Sequence, residues 1–308
     1  MLQSCSVRGQ GQKEICFADP TVYVENGKYY LTGTRTGEPS GFTVLESEDL
    51  LHWNYPDRDT MILHKGDSTF GNKGFWAPQL LRDGDMYRLT YTADEQTVLS
   101  SSDNIFGPYR QKDIKPIDGS AKNIDSYIFR DDDGKYYLYH VRFNRGNYIW
   151  VAEFDMENGR IIPETLKQCL DCTEDWEMTP NYKSNPVMEG PAVRKWDGVY
   201  YMFYSANHFM NIDYAVGYAW APTPFGPWTK NPGNPIIDRH IVGENGSGHG
   251  DVFKGLDGKY YYVYHVHNSD TGVQPRKTRI VPLKMIKEDG IFRIRADKDN
   301  VIIPVYHR

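Results

Sequence analysis

One pattern constrains the fold more than any other, because it recurs five times: a polar residue, an apolar strand, a turn of Asp, Asn or Gly, and an aromatic strand. The copies open at Asp19, Trp76, Asp125, Glu189 and His249 and reach turn glycines at Gly27, Gly84, Gly134, Gly198 and Gly258. Asn-Gly and Asp-Gly supply the positive φ angles of tight hairpins, and runs such as Lys28-Tyr-Tyr-Leu suit pleated strands. Third strands and polar turns follow at 43–49, 97–103 and 215–220, and Phe-Gly-Pro-Tyr at 106–109 is echoed by Phe-Gly-Pro-Trp at 225–228. Such units cannot bury their faces alone; closed around an axis they also lose their long free edges. The expectation is an all-β, five-bladed β-propeller forming one domain over 1–308, with a short segment, about 1–16, before the first blade.

Composition agrees, with 23 Tyr, 13 Phe and 28 Gly favouring short aromatic strands and tight turns over long helices. The net charge of −6 comes without a run of Lys or Arg, so nothing matches the footprint of a nucleic-acid binder. Aromatic rings with carboxylates suit a neutral polyol, whose C–H faces stack while its hydroxyls take hydrogen bonds. No apolar run is long enough to span a bilayer, and 1–12 is polar. Leu2-Gln3-Ser4-Cys5 resembles the end of a lipoprotein signal without its apolar stretch, and the chain is expected to be secreted, periplasmic or cell-surface, with the cytoplasm as the alternative. Cys169 and Cys172 have C-x-x-C spacing without a second close pair, which favours a loop disulfide or two free thiols over zinc; Cys5 and Cys16 carry no assigned role.

The first strand of each propeller blade lines the central channel, so residues at one repeat position converge. Counted back from the turn glycine, Asp19 and Trp76 sit eight residues away and Asp125, Glu189 and His249 nine, read as a one-residue turn insertion. Three carboxylates gathered near an axis repel one another and resist ionisation, which raises at least one pKa. Glycoside hydrolysis has a use for that conflict: one carboxylic acid protonates the leaving oxygen while one carboxylate activates water.

The motifs Ala18-Asp19-Pro20, Phe75-Trp76-Ala77-Pro78, Ile124-Asp125-Ser126, Met188-Glu189-Gly190-Pro191 and Gly248-His249-Gly250, in this order and each opening a blade, resemble glycoside hydrolase family 43 over nearly the whole chain. That family of five-bladed propellers includes α-L-arabinofuranosidases, β-xylosidases and arabinanases. The resemblance implies Asp19 as general base, Glu189 as general acid, and Asp125 as the carboxylate that orients the acid and keeps its pKa high. It implies inversion in a single displacement, with acid and base roughly 6.5–9.5 Å apart. The substrate expected is an oligosaccharide or polysaccharide of plant type, trimmed of terminal α-L-arabinofuranosyl or β-D-xylosyl residues in an exo pocket.

The same resemblance makes Trp76 a floor for the sugar, with channel packing as the alternative; Phe75, Asn207 and Arg279 are further candidate substrate contacts, Arg279 reaching sugar hydroxyls or buffering the carboxylates. Arg279 is equally readable as a surface ion pair. His249 has three readings: a satisfied buried histidine, a direct sugar contact, or a ligand acting through water on a structural calcium in the channel; the chemistry itself needs no cofactor. His140, His208, His265 and His267 read as ordinary hydrogen-bonded residues, and Asp131-Asp132-Asp133 as an exposed turn. The rival readings are a propeller hydrolase of another sugar, such as a galactofuranoside, a sucrose-type or an anhydrogalactose substrate, a mannoside phosphorylase, and a noncatalytic sugar-binding propeller.

Overall fold

The computed structural model describes residues 11–37, 39–55 and 61–307. These residues form a five-bladed β-propeller with one short α-helix, Arg239–Val242. The innermost strands are Ala18–Glu25, Trp76–Asp83, Asn123–Arg130, Met188–Trp196 and Gly248–Lys254. Each pairs antiparallel with an aromatic second strand and leads outward through a meander. All five inner strands start at one end of the axis and finish at hairpin turns at the other.

The turns explain part of the uneven repeat spacing. Blades one and four use two-residue turns with both φ angles positive, at Asn26-Gly27 and Asp197-Gly198. In blades three and five, strand pairing stops at Arg130 with Tyr136 and at Lys254 with Tyr260, leaving five-residue turns. The inserted residue therefore belongs to blades three and five only. Asp131 is not an exposed turn acid: it is buried, accepting from Lys195 Nζ at 2.6 Å and from the Tyr200 hydroxyl.

Bulky rings from the second strands fill the gaps between twisted blades, where only large side chains reach both sheets. Tyr201, Phe203 and Tyr204 of blade four meet Tyr262 of blade five in the largest core cluster, and Trp196 packs edge-on against Tyr260. The ring closes through the chain's two ends. Gln12–Glu14 pairs antiparallel with Val305–His307, which pairs in parallel with His52–Trp53. Arg279 locks this closure. It is almost fully buried, with Nη1 at 3.2 Å from Glu14 and Nη2 at 2.7 Å from Glu244, so it is neither a sugar contact nor a surface ion pair.

Cys16 is disulfide-bonded, while Cys169 and Cys172 are free thiols. Burial pushes the Cys169 thiol far above its ordinary range and Cys172 up to about 11, so neither supplies a reactive thiolate. Cys5 lies outside the described residues. No helix among the described residues is long and apolar enough to cross a membrane.

Candidate active site

The hydrogen-bond register refines the repeat. Ala18, Trp76, Ile124, Glu189 and Gly248 occupy one ladder position, opposite Thr34, Thr92, Val141, Ser205 and His265. A bulge follows in every blade. The next residues, Asp19, Ala77, Asp125, Gly190 and His249, all have left-handed φ values between 43 and 60°. Trp76 and Glu189 therefore stand one residue before the position held by Asp19, Asp125 and His249, and the sequence count that equated all five is corrected. Both positions reach the same space because the bulge breaks the strict alternation of side chains. Left-handed backbone at Asp19, Asp125 and His249 costs of order 1–3 kcal/mol each, and such strain concentrates where function holds it. At Gly190 the need is also steric, since a Cβ would come within 2.7 Å of the His249 ring.

The bulges are clamped from blade to blade. Ala77 N–H donates to Thr34 Oγ1, Asp125 N–H to Thr92 Oγ1, His249 N–H to Ser205 Oγ, and Asp19 N–H to His265 Nδ1, at 2.8–3.1 Å. Blade three offers Val141 at this position, which cannot accept. The orphaned Gly190 N–H turns instead to Asp125 Oδ2 at 3.4 Å, tying the backbone beside Glu189 to a second carboxylate.

Asp19, Asp125, Glu189, Trp76 and His249 all line one pocket of about 490 Å³ at the axis, a volume in the range of small-molecule sites. The three carboxylates are buried but differ in their surroundings. Asp19 Oδ1 faces Arg276 Nη1 at 2.9 Å, His265 Nδ1 at 3.3 Å and His249 Nδ1 at 3.4 Å, while Oδ2 accepts from Thr34 at 2.7 Å. Burial works to raise its pKa, but the Arg276 guanidinium above all, helped by the Thr34 hydrogen bond, holds the carboxyl well below the usual range. Asp125 lacks such a cation, and burial together with the Asp19 charge pushes it up to about 8. Glu189 is pushed up to about 7 by burial and by Asp125, although it accepts from the Tyr214 hydroxyl at 2.8 Å. The pocket thus holds one carboxylate that stays ionised and two that retain protons near neutrality, the separation that acid–base work at one bond needs.

Phe75 and Asn207 stand elsewhere. Phe75 is fully buried in the core, stacked on Tyr91 with centroids 5.7 Å apart. Asn207 is a buried brace, donating to the carbonyls of Trp176 and Asp213 and accepting from Thr179 N–H. In their place the pocket receives Arg276, Arg35, Gln274, His208 and Phe209. Arg276 lies three residues before Arg279, with its guanidinium 4.6 Å above the Phe209 ring. His265 is no ordinary strand histidine, since it contacts Asp19 directly, and burial keeps it neutral with Arg276 beside it. Both His265 and Thr34 were within reach of sequence reasoning, because the repeat extends to the second strand.

His249, for which a calcium held through water is one of three readings, lines the pocket beside the carboxylates. Beneath the carboxylates the channel narrows to a space of about 20 Å³. Among the described residues, no three His, Cys, Asp or Glu are placed to share an ion. His249 Nδ1 is turned to Asp19 and, at 3.8 Å, to Asp125.

Comparison with known proteins adds to the geometry. The family model for glycosyl hydrolases family 43 matches residues 14–292. A solved structure named endo-1,4-β-xylanase from Bacteroides thetaiotaomicron VPI-5482 superposes with a TM-score of 0.86 at 38% identity, covering 96% of this chain and 98% of that one. A thermostable family-43 glycoside hydrolase superposes at 0.81 with 30% identity, covering 96% of each. Among curated relatives, a β-D-galactofuranosidase of Aspergillus niger is 27% identical over 81% of this chain and 73% of its own length. A xylosidase/arabinosidase of Butyrivibrio fibrisolvens is 25% identical over 89% of this chain, which spans only 54% of that protein.

Proposed function

The chain belongs to glycosyl hydrolases family 43, a glycoside hydrolase by family, and from that premise we propose that it removes terminal α-L-arabinofuranosyl or β-D-xylosyl residues with inversion. The observation that carries the proposal is the electrostatic split in a single pocket: Asp19 held ionised by Arg276, Glu189 held protonated by burial. In the proposed reaction the Asp19 carboxylate takes a proton from water as the water oxygen bonds the anomeric carbon. The bond to the leaving oxygen breaks, and that oxygen takes the Glu189 proton. Asp125 acts through Glu189, to which Gly190 N–H connects it. The step uses side chains alone and asks for no metal.

Sugar binding beside the carboxylates is supported by Trp76 and Phe209, whose rings line the same pocket. Disulfide bonding at Cys16 supports an oxidising, extracytoplasmic location. A second reading, β-galactofuranoside hydrolysis, is favoured by the relative of that name and by the ring shape that galactofuranose shares with arabinofuranose. A panel of 4-nitrophenyl α-L-arabinofuranoside, β-D-xyloside and β-D-galactofuranoside, with linear xylo- and arabino-oligosaccharides beside it, separates these. Preference for a pentoside, with single sugars released from chain ends, supports the proposal. Preference for the galactofuranoside selects the second reading, and mid-chain cleavage products refute terminal action.

A further inference from the structure

The channel does not end at the carboxylates. Below the narrow throat it is crossed by a plug in which Asp251 accepts from Thr21 at 2.8 Å and pairs with Arg194 at 3.3 Å, while Arg194 also donates to the Tyr127 hydroxyl. Beyond the plug the axis opens into a second cavity of about 590 Å³, on the side where the inner strands reach their hairpin turns. This rear funnel has a chemistry of its own. Buried Val22, Leu80 and Ile128 come from the middle of three inner strands, and Tyr23 and Phe129 present partly exposed rings. At the strand ends stand three exposed cations, Arg82, Arg130 and Lys254.

Charge distinguishes this funnel from an ordinary surface dent. Four cations, counting Arg194, line it against one lining carboxylate, Asp251, on a chain whose net charge is −6. Arg82 is paired with Glu25 and Arg194 with Asp251. Arg130 lies over the Tyr136 ring, and among the described residues neither it nor Lys254 meets a carboxylate. A concave site joining uncompensated cations to aromatic faces is complementary to a ligand with an anionic group and a C–H face.

We propose that the rear funnel is a noncatalytic binding site for a uronate-bearing saccharide, its carboxylate held by the rim cations and its ring lying on Tyr23 or Phe129. The choice of a saccharide rests on the glycosidase reading; the choice of an anion rests on the funnel alone. Such a site would hold an acidic side group of a polymer about one propeller thickness from the catalytic pocket, with the plug keeping the two apart.

The test titrates the full chain with D-glucuronate and D-galacturonate, with xylose and inorganic phosphate as comparison probes, by calorimetry or ligand-observed NMR at low and high salt. Saturable uronate binding is expected, weakened by salt, stronger than that of either comparison probe, and weakened at least ten-fold in an Arg130→Ser/Lys254→Ser variant. Both positions are exposed and outside the catalytic pocket, so kcat/KM on the preferred aryl glycoside should stay within two-fold. No saturable binding, equal binding of phosphate, or uronate binding that survives the double substitution would each overturn the proposal. Uronate binding by a chain that hydrolyses no glycoside would overturn the glycosidase reading and leave the rear site standing.

Discussion

Replacing Tyr214 with Phe removes a single atom from the surroundings of the acid. The Tyr214 ring is fully buried, stacked on His265 with centroids 5.7 Å apart, and Phe keeps that packing. What is lost is the hydrogen bond to Glu189 Oε1 at 2.8 Å. By donating to Oε1, Tyr214 leaves the carboxylic proton to Oε2, and because it donates, it favours the ionised acid. Its removal therefore raises the Glu189 pKa from its present value of about 7. A hydrogen bond worth about 1–1.5 kcal/mol more to the charged form corresponds to roughly one pH step. The alkaline limb of kcat/KM should move up by about that much. At pH 6, turnover of an unactivated disaccharide should fall by up to about ten-fold, more than that of a 4-nitrophenyl glycoside, whose leaving group needs little protonation. Profiles from pH 4 to 10 on both substrates test this. A limb that stays in place or moves to lower pH refutes the assignment of Tyr214 as the positioning residue of the acid.

Val141→Thr offers Gly190 N–H a hydroxyl like those of Thr34, Thr92 and Ser205 in three other blades, drawing it from Asp125. With Asp125 less able to ionise, its push on Glu189 weakens, and the alkaline limb should fall by a few tenths of a pH step; an unchanged profile in a folded variant would contradict the clamp. Arg276→Ala removes the principal cation from Asp19, so the base titrates at higher pH and the acidic limb should rise into the measurable range; KM can rise as well, because Arg276 lines the pocket, but only the loss of base tuning moves the limb. Glu189→Gln should abolish turnover of an unactivated disaccharide and raise Tm. The folded pKa of Glu189 is raised, so the stability linked to its proton is present at acidic pH and lost as pH climbs from the ordinary carboxylate range toward about 7; that rise from 4.5 corresponds to at most roughly 3 kcal/mol. The gain in Tm should be several degrees at pH 8 and smaller at pH 5, and equal gains at both would argue against a raised pKa.

The five hairpins were legible because turn chemistry and aromatic strands repeat visibly, and the three carboxylates because each opens a blade. The register was misread by one residue for Trp76 and Glu189, because the count ran to a turn glycine whose place in the turn varies. Alignment on Pro20, Pro78 and Pro191 at the bulges would have placed them correctly. Phe75, a candidate contact by sequence, stands just before the strand that Trp76 opens and belongs to the core. Choosing between Arg276 and Arg279 required knowing which rung of the last blade reaches the axis, and Arg279 went to ring closure, a long-range pairing with Glu14 that no local pattern reports. Tyr214 carries no local mark either; it reaches Glu189 from just before the third strand of its blade, Ala215–Ala221.

Proton NMR of the first sugar released from the preferred glycoside, recorded before mutarotation, tests the central claim most directly. A base that activates water on the face opposite the departing group must deliver the anomer of inverted configuration, and that is the expected spectrum. First-formed sugar of retained configuration would mean a covalent glycosyl intermediate and would contradict the roles given to Asp19 and Glu189.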